Sequence, residues 1–405
     1  DRIRSRGLGD VYKRQDMLTQ MSKVKLPPLS PVLRGEMPSN GVKSLKDSLK
    51  NSKKPLFIIG GSGWSDVACS KFHKFINENN IPVATSFRRQ DLFDHKNENF
   101  AGSFGTSVSP KLIDSTKNSD LIIVLGARLG EMTTQGYSII SPRDISKNIM
   151  HIHVDPNELN KVFNANVCIN VGVNECCDKL EELTLDNSNR WKQWRNELNK
   201  NYLEDSKPQK NRNLNNLSKI FEIVEKKFPT NSIITLDAGN NAAWPQRFLS
   251  FGRNRRQIAS TCGSMGYAIP AAVSSALSNP EKAVLCCVGD GGFMMSSQEI
   301  STAVHYNAKI IILLINNSSY ATIRMHQERD YPGRKIATDL KNPDFVKLCK
   351  AMGADAYRVK GVEDFSQIFV KALKSKKVNV IEIPISINQL SLSLIHISEP
   401  TRPNT

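Results

Sequence analysis

The segment Val288–Tyr320 (VGDGGFMMSSQEISTAVHYNAKIIILLINNSSY) holds the side chains best suited to chemistry. An apolar run ends at Val288, and Gly289-Asp290-Gly291-Gly292 follows at once; a second apolar run, Lys309–Ile315, ends in Asn316-Asn317. The stretch between them reads as a helix, so the whole is a strand–helix–strand unit with a right-handed crossover. Asp290 and Asn317 then leave the same carboxyl edge of neighbouring strands, about 5 Å apart, where open parallel sheets bind ligands. One carboxylate, one amide oxygen and a main-chain carbonyl make a hard oxygen site of low charge. Mg²⁺ suits such a site, because it keeps water and phosphate oxygens as its remaining ligands. Gly291 and Gly292 let the main chain come close, and the helix start behind them offers N–H groups to an anion. A glycine-rich turn whose Asp290 merely caps the helix would share Gly-Asp-Gly. The spacing of 27 residues from Asp290 to Asn317 favours a Mg²⁺–diphosphate cradle instead.

The elements that must position these groups alternate along the chain. Pro55–Gly60, Asp120–Gly126 and Asn148–Val154 read as strands, and Ser65–Asn79 and Glu175–Leu183 as helices. After a polar stretch, Asp186–Asn216, the alternation resumes. Strands are expected at Ser232–Leu236, Ala283–Val288, Ile310–Ile315 and Val378–Ile383. Helices are expected around Ala243–Leu249 and at Met265–Leu277, Met294–Tyr306 and Pro343–Met352. The spacing predicts an α/β protein of two doubly wound parallel-sheet domains. Residues 51–185 form the first and 217–390 the second, with a lead-in linker at 16–50 and a surface helix and linker at 186–216. Residues 1–15 and 391–405 fit no periodic pattern and resemble translated adapter or vector sequence, so they are expected to be non-native.

Composition excludes other classes. The 405 residues are 39% hydrophobic and 23% charged, an ordinary globular balance. The longest aliphatic run, Ile310–Ile315, is far shorter than the ~20 residues that span a bilayer. The formal charge of +16 is scattered Lys among Asn, a solvated basic surface with no stripe for nucleic acid. The eight cysteines contain no C-x-x-C pair and read as free thiols of a reducing, cytoplasmic compartment.

Gly-Asp-Gly, 24 residues and then Asn-Asn resembles the thiamine-diphosphate signature, and the surrounding text is similar to the acetolactate synthase large-subunit family. The resemblance runs from about Asp16 to Asn388, strongest after Ile233. It implies that Asp290, Asn317 and the main chain of Ser319 hold Mg²⁺, with Gly289, Gly291, Gly292 and Tyr320 on the cofactor. Thr261–Ala272 (TCGSMGYAIPAA) is similar to the family's G-x-M-G block. There Gly263 would accept a bond from the aminopyrimidine, beside Ser264, and Met265 would wedge beneath the bent cofactor. Asp237–Asn241 (DAGNN) matches a diphosphate contact through Gly239 and Asn240 more loosely, since relatives often carry Gln-His at 240–241.

The first domain resembles the family's central domain, which binds FAD in some members. FAD stays uncertain here: Asp66 replaces the third glycine of G-x-G-x-x-G after Gly61. The Arg-Phe-Asp-Asp-Arg run of FAD-binding relatives reads Arg128-Leu129-Gly130-Glu131-Met132. His151 and His153 share a strand face and are expected to pack or hydrogen-bond. His326 stands where biosynthetic members carry a substrate-selecting tryptophan, and is either a substrate contact or a surface histidine.

The resemblance implies a thiamine-diphosphate- and Mg²⁺-dependent transferase or lyase of branched-chain amino acid biosynthesis. It would decarboxylate pyruvate and join the product to a second 2-oxo acid, as a homodimer or homotetramer, with no nucleic-acid or membrane partner. The rivals are a superfamily relative acting on glyoxylate, an aromatic oxo acid or an acyl-CoA, and a truncated cofactor-binding fragment without turnover. No catalytic residue is assigned. Members use a glutamate from an additional N-terminal domain, and Glu36, the first glutamate here, lies in a Pro/Gly-rich lead. This chain alone is therefore expected to be catalytically silent.

Overall fold

The computed structural model describes residues 20–21, 23, 35–142, 148–186, 189–208 and 215–387. The expectations for residues 1–15 and 391–405 lie outside the described residues. Every described helix and strand belongs to the unit that starts at Glu36.

Two six-stranded sheets organise that unit, and every strand pair in both is parallel. The first contains β1 (Pro55–Ile59), β2 (Val83–Thr85), β3 (Phe100–Ser103), β4 (Leu121–Leu125), β5 (Asn148–His153) and β6 (Val167–Asn170). Its order is β3-β2-β1-β4-β5-β6. The second contains β7 (Ser232–Leu236), β8 (Arg255–Ala259), β9 (Ala283–Gly289), β10 (Ile310–Asn316), β11 (Asp355–Arg358) and β12 (Asn379–Pro384), in the order β11-β12-β10-β9-β7-β8. The doubly wound α/β class read from the sequence is the observed one.

Helices cover both faces of each sheet, so the central strands β1 and β4 are apolar at every position and β9 and β10 nearly so. Along β1, Phe57 and Ile59 enter one apolar layer and Leu56 and Ile58 the other, the two-residue period of a strand. Leu121 through Leu125 are fully buried. Truncating such a leucine to alanine removes about 2–5 kcal/mol of stability.

Several elements differ from the sequence reading. Ser39–Asn51, inside the expected lead-in linker, is a helix that buries Leu45 and Leu49. The polar stretch after Asp186 is no free surface linker where it is described. Its helix Lys192–Asp205 packs on β3, and Trp191 and Trp194 are buried, donating indole N–H to Ser52 O and Pro55 O at 3.0 Å each. The expected helix Met294–Tyr306 is two helices, Asp290–Ser296 and Glu299–His305, the first beginning directly at Asp290.

The glycines after β1 have a packing reason. A side chain on Gly61 would run into the carbonyl of Gly126, because the loops after β1 and β4 touch. His151 and His153 are buried: Nε2 of His151 is 3.0 Å from Ala127 O, and Nδ1 of His153 accepts from Asp155 N at 3.1 Å.

Candidate functional site

In the second sheet the chain runs outward from β7 to β8, then returns to the other side of β7 with β9. Ligands of open α/β sheets bind beyond the carboxyl ends of the strands at such a reversal. The register pairs Leu236 with Cys287 and Ile315 with Gly289, so Asp237, Asp290 and Asn317 emerge at one edge. A cavity of about 220 Å³ opens there. Its walls are the loop after β7 (Ala238–Asn241), the turn Gly289–Gly292 and the segment from Asn317 to Ile323, joined by Gly263, Met265 and Trp244.

The glycines of this cavity sit in tight quarters, most severely Gly291. A Cβ on Gly289 would stand 2.7 Å from Asn241 Nδ2, one on Gly291 2.6 Å from Tyr320 Cε1, and one on Gly292 3.1 Å from the Asp237 carboxylate. Gly263 is different: its φ of +76° selects glycine, and nothing lies within 4 Å of a Cβ built there. The main chain therefore forms the surface, as a ligand that reads backbone amides requires.

Asp237 fixes the opposite wall. It is fully buried and accepts from the main-chain N–H of Ala238 (2.6 Å), Gly266 (3.0 and 3.1 Å) and Ala268 (3.4 Å). These bonds tie the Met265-Gly266 turn to the end of β7. Burial pushes the Asp237 carboxyl above its usual range, and the three N–H donors oppose that rise.

Asp290 is also buried, and desolvation raises its pKa; the strongest opposing influence is Asn342. Asn342 Nδ2 donates to Asp290 Oδ2 at 2.7 Å and to Asn316 Oδ1 at 3.0 Å. Asn316 Nδ2 donates to Glu382 Oε1 at 2.8 Å, and Arg358 Nε donates to Glu382 Oε2 at 2.8 Å. A polar chain thus runs from the cavity floor to the far strands. After Asn317 the backbone turns through Ser318, whose φ is +55°, and Ser319 N donates to Asn317 Oδ1 at 3.1 Å.

The residues expected on cofactor and metal are mostly gathered here. Gly239, Asn240, Gly263, Met265, Gly289, Gly291, Gly292 and Tyr320 all line the cavity, as do Asp290, Asn317 and Ser319. Ser264 and His326 do not. The Ser264 hydroxyl lies 3.0 Å from Cys262 Sγ. His326 is exposed on the helix Ala321–Asp330, beyond the first turn that faces the cavity. Glu36 is exposed and pairs with Lys179 at 3.7 Å. The sequence reading missed Asp237, Asn342 and Glu382 as supports. Only Asp237 carried a signal, opening the quoted DAGNN block.

Comparison with known proteins agrees with this geometry. Residues 237–383 match the thiamine pyrophosphate enzyme C-terminal TPP binding domain, and residues 42–180 match the thiamine pyrophosphate enzyme central domain. The chain belongs to the thiamine pyrophosphate enzymes. Within them it is similar to proteins named acetolactate synthase large subunit. The one from Buchnera aphidicola of Schizaphis graminum is 28% identical over 85% of this chain and 61% of its own length. That from Buchnera of Schlechtendalia chinensis is 27% identical over 91% and 65%. The Corynebacterium glutamicum protein is 28% identical over 79% and 53%. The chain thus spans about three fifths of the length of the curated relatives it matches. Thiamine diphosphate with Mg²⁺ is the cofactor of this enzyme class, and no described helix is long and apolar enough to cross a membrane.

Proposed function

We propose that the cavity at β7, β9 and β10 holds the diphosphate end of thiamine diphosphate through Gly239, Asn240, Gly289, Gly291, Gly292 and Tyr320. Gly263 and Met265 take its pyrimidine end, and Asp290, Asn317 and the main chain of Ser319 take Mg²⁺. In the whole enzyme this site serves decarboxylation of a 2-oxo acid, pyruvate in the first instance, and its ligation to a second 2-oxo acid. The observation that carries the reading is the meeting of one buried carboxylate and one amide at adjacent strand ends, against a closely packed glycine-rich wall.

The donor set suits the metal. A single carboxylate with neutral oxygens leaves a divalent cation free to bind phosphate oxygens. Burial raises the Asp290 pKa, and a cation beside it would oppose that rise. Once bound, thiamine diphosphate supplies the electron sink for loss of CO₂. The chain's own residues provide the shape. Asp237 locks the Met265-Gly266 turn, Tyr320 packs over Gly291, and Trp244, Ile315 and Ile385 make the remaining wall apolar. Tyr267, Met294, Met295 and Ile323 are exposed beside the cavity, a patch that suits a second copy of the chain in a homodimer or homotetramer.

Calorimetry tests the assignment. Wild type should bind thiamine diphosphate only with Mg²⁺ present, and Asp290→Ala should lose that dependence together with most of the affinity. Equal affinity for both proteins would overturn it. Acetolactate or acetoin formed from pyruvate by the whole enzyme tests the reaction.

A further inference from the structure

We propose that Arg88 is the binding residue for the carboxylate of the 2-oxo acid substrate, reaching the cofactor cavity from the first-sheet domain; this rests on the function proposed above. Arg88 lies in the loop after β2, which joins the two sheets. Gln90 and Gln257 exchange bonds (Gln90 N to Oε1 at 3.3 Å, Gln257 Nε2 to Oε1 at 2.8 Å), and Arg256 Nε donates to Asp91 Oδ2 at 2.6 Å. Pinned in this way, Arg88 adopts a left-handed backbone with φ of +58°, a conformation that costs a non-glycine residue about 1 kcal/mol or more. Such strain persists where the surroundings impose it, most often at binding and active sites.

The side chain is the second observation. Arg88 is only 8% exposed, yet its Nε and Nη1 have no hydrogen-bond partner. Buried guanidinium groups are ordinarily paired, because unmet donors in a low-dielectric setting are expensive. Burial pushes the Arg88 guanidinium below its ordinary range, and Asp237 is the strongest influence opposing that fall. Asp237 does not satisfy it by hydrogen bonding, since its oxygens are taken by the N–H groups of Ala238, Gly266 and Ala268.

The third observation is room. Cys262 and Tyr267 bracket Gly263–Gly266, whose Gly263 and Met265 line the cavity, and beside Gly263 there is open space. β8, to which the Arg88 loop is pinned, runs on from Ala259 into the Gly263–Met265 stretch of the cavity wall, so the loop brings a buried cation with free donors to the side of the site opposite Asp290's strand. The diphosphate and its metal belong to the Asp290 end. The remaining anion in the reaction is the substrate carboxylate, and a guanidinium fork matches a carboxylate in geometry as well as charge.

The test uses oxamate, a carboxylate isostere of pyruvate, titrated into the full chain loaded with thiamine diphosphate and Mg²⁺. Oxamide, its uncharged counterpart, is titrated in parallel. Wild type should prefer oxamate over oxamide by about 10- to 100-fold, the worth of a charge-assisted hydrogen bond. Arg88→Met should lose that preference while cofactor affinity, measured separately, changes little; Arg88→Lys should recover part of it. Equal binding of the two probes by wild type overturns the proposal without any variant. So does oxamate affinity that survives Arg88→Met. Failure of wild type to bind thiamine diphosphate at all would instead overturn the function on which the proposal rests.

Discussion

Replacing Asn342 by alanine removes two hydrogen bonds from the floor of the site, one to Asp290 Oδ2 at 2.7 Å and one to Asn316 Oδ1 at 3.0 Å. Asp290 is 3% exposed, so water does not readily replace the lost donor. A hydrogen bond to a charged group contributes about 1.5–3 kcal/mol, and cofactor affinity at neutral pH should fall by about 10- to 150-fold. Asn342 uses one lone pair of one oxygen, so its loss frees little that a cation could not already reach. The pH dependence gives an independent reading. Burial holds the Asp290 carboxyl above its usual range, and Asn342 is the strongest influence pulling it down. Cation binding needs the ionised form, so affinity weakens as pH falls through that raised value. In the variant the weakening should begin at higher pH. Trp244 lines the cavity, and its emission offers the assay: cofactor titrations at saturating Mg²⁺ across a pH series. Superimposable titrations for wild type and Asn342→Ala at every pH would refute the argument that Asn342 supports Asp290.

Two further outcomes follow from titrating groups elsewhere. Cys262 is exposed, and its thiol is lowered to about 7 by hydrogen bonds to Ser260 and Ser264. Iodoacetamide at neutral pH should label it ahead of the six buried cysteines and more slowly once cofactor occupies the cavity, with peptide mass spectrometry as the check. His95 is buried, stacked on Phe100 at 4.0 Å, with Nε2 3.0 Å from Gln90 O, and its pKa is pushed down from 6.5 to about 3. Its contribution to stability is complete above pH 6.5 and is lost as pH falls from there toward 3. The slope is at most about 1.4 kcal/mol per pH unit. Denaturation of His95→Phe should lack that component, and a slope identical to wild type would assign the acid lability elsewhere.

The legibility of this site in the sequence follows the length of its strands. β9 and β10 are seven residues each, apolar except for Asn316 at the end of β10, and flanked by turn residues, so their ends and the meeting of Asp290 with Asn317 could be read. β2, β3, β6, β8 and β11 have three to five residues, several of them polar, and left no periodic trace. The two tryptophans in the polar stretch after Asp186 hinted at burial, but helix propensity and charge there read as surface. His326 was located by its distance from Asn316-Asn317 along the chain; the helix Ala321–Asp330 turns that position outward, and linear spacing carries no such rotation.

Arg88 marks the boundary of what a single sequence can say. Phe87-Arg88-Arg89-Gln90-Asp91 is four polar residues in five, which by composition belongs on a surface. It is buried because β2 ends at Thr85 beside the second domain, where Gln257 and Arg256 of β8 hold Gln90 and Asp91. Those partners lie more than 160 residues away, and no local period reports them. With Gln90 and Asp91 fixed, Arg88 is buried and keeps two donors unpaired. Side-chain bonding between the loop after β2 and strand β8 thus converts a solvated cation into a buried one. The same conversion makes an anionic ligand the simplest means of satisfying it.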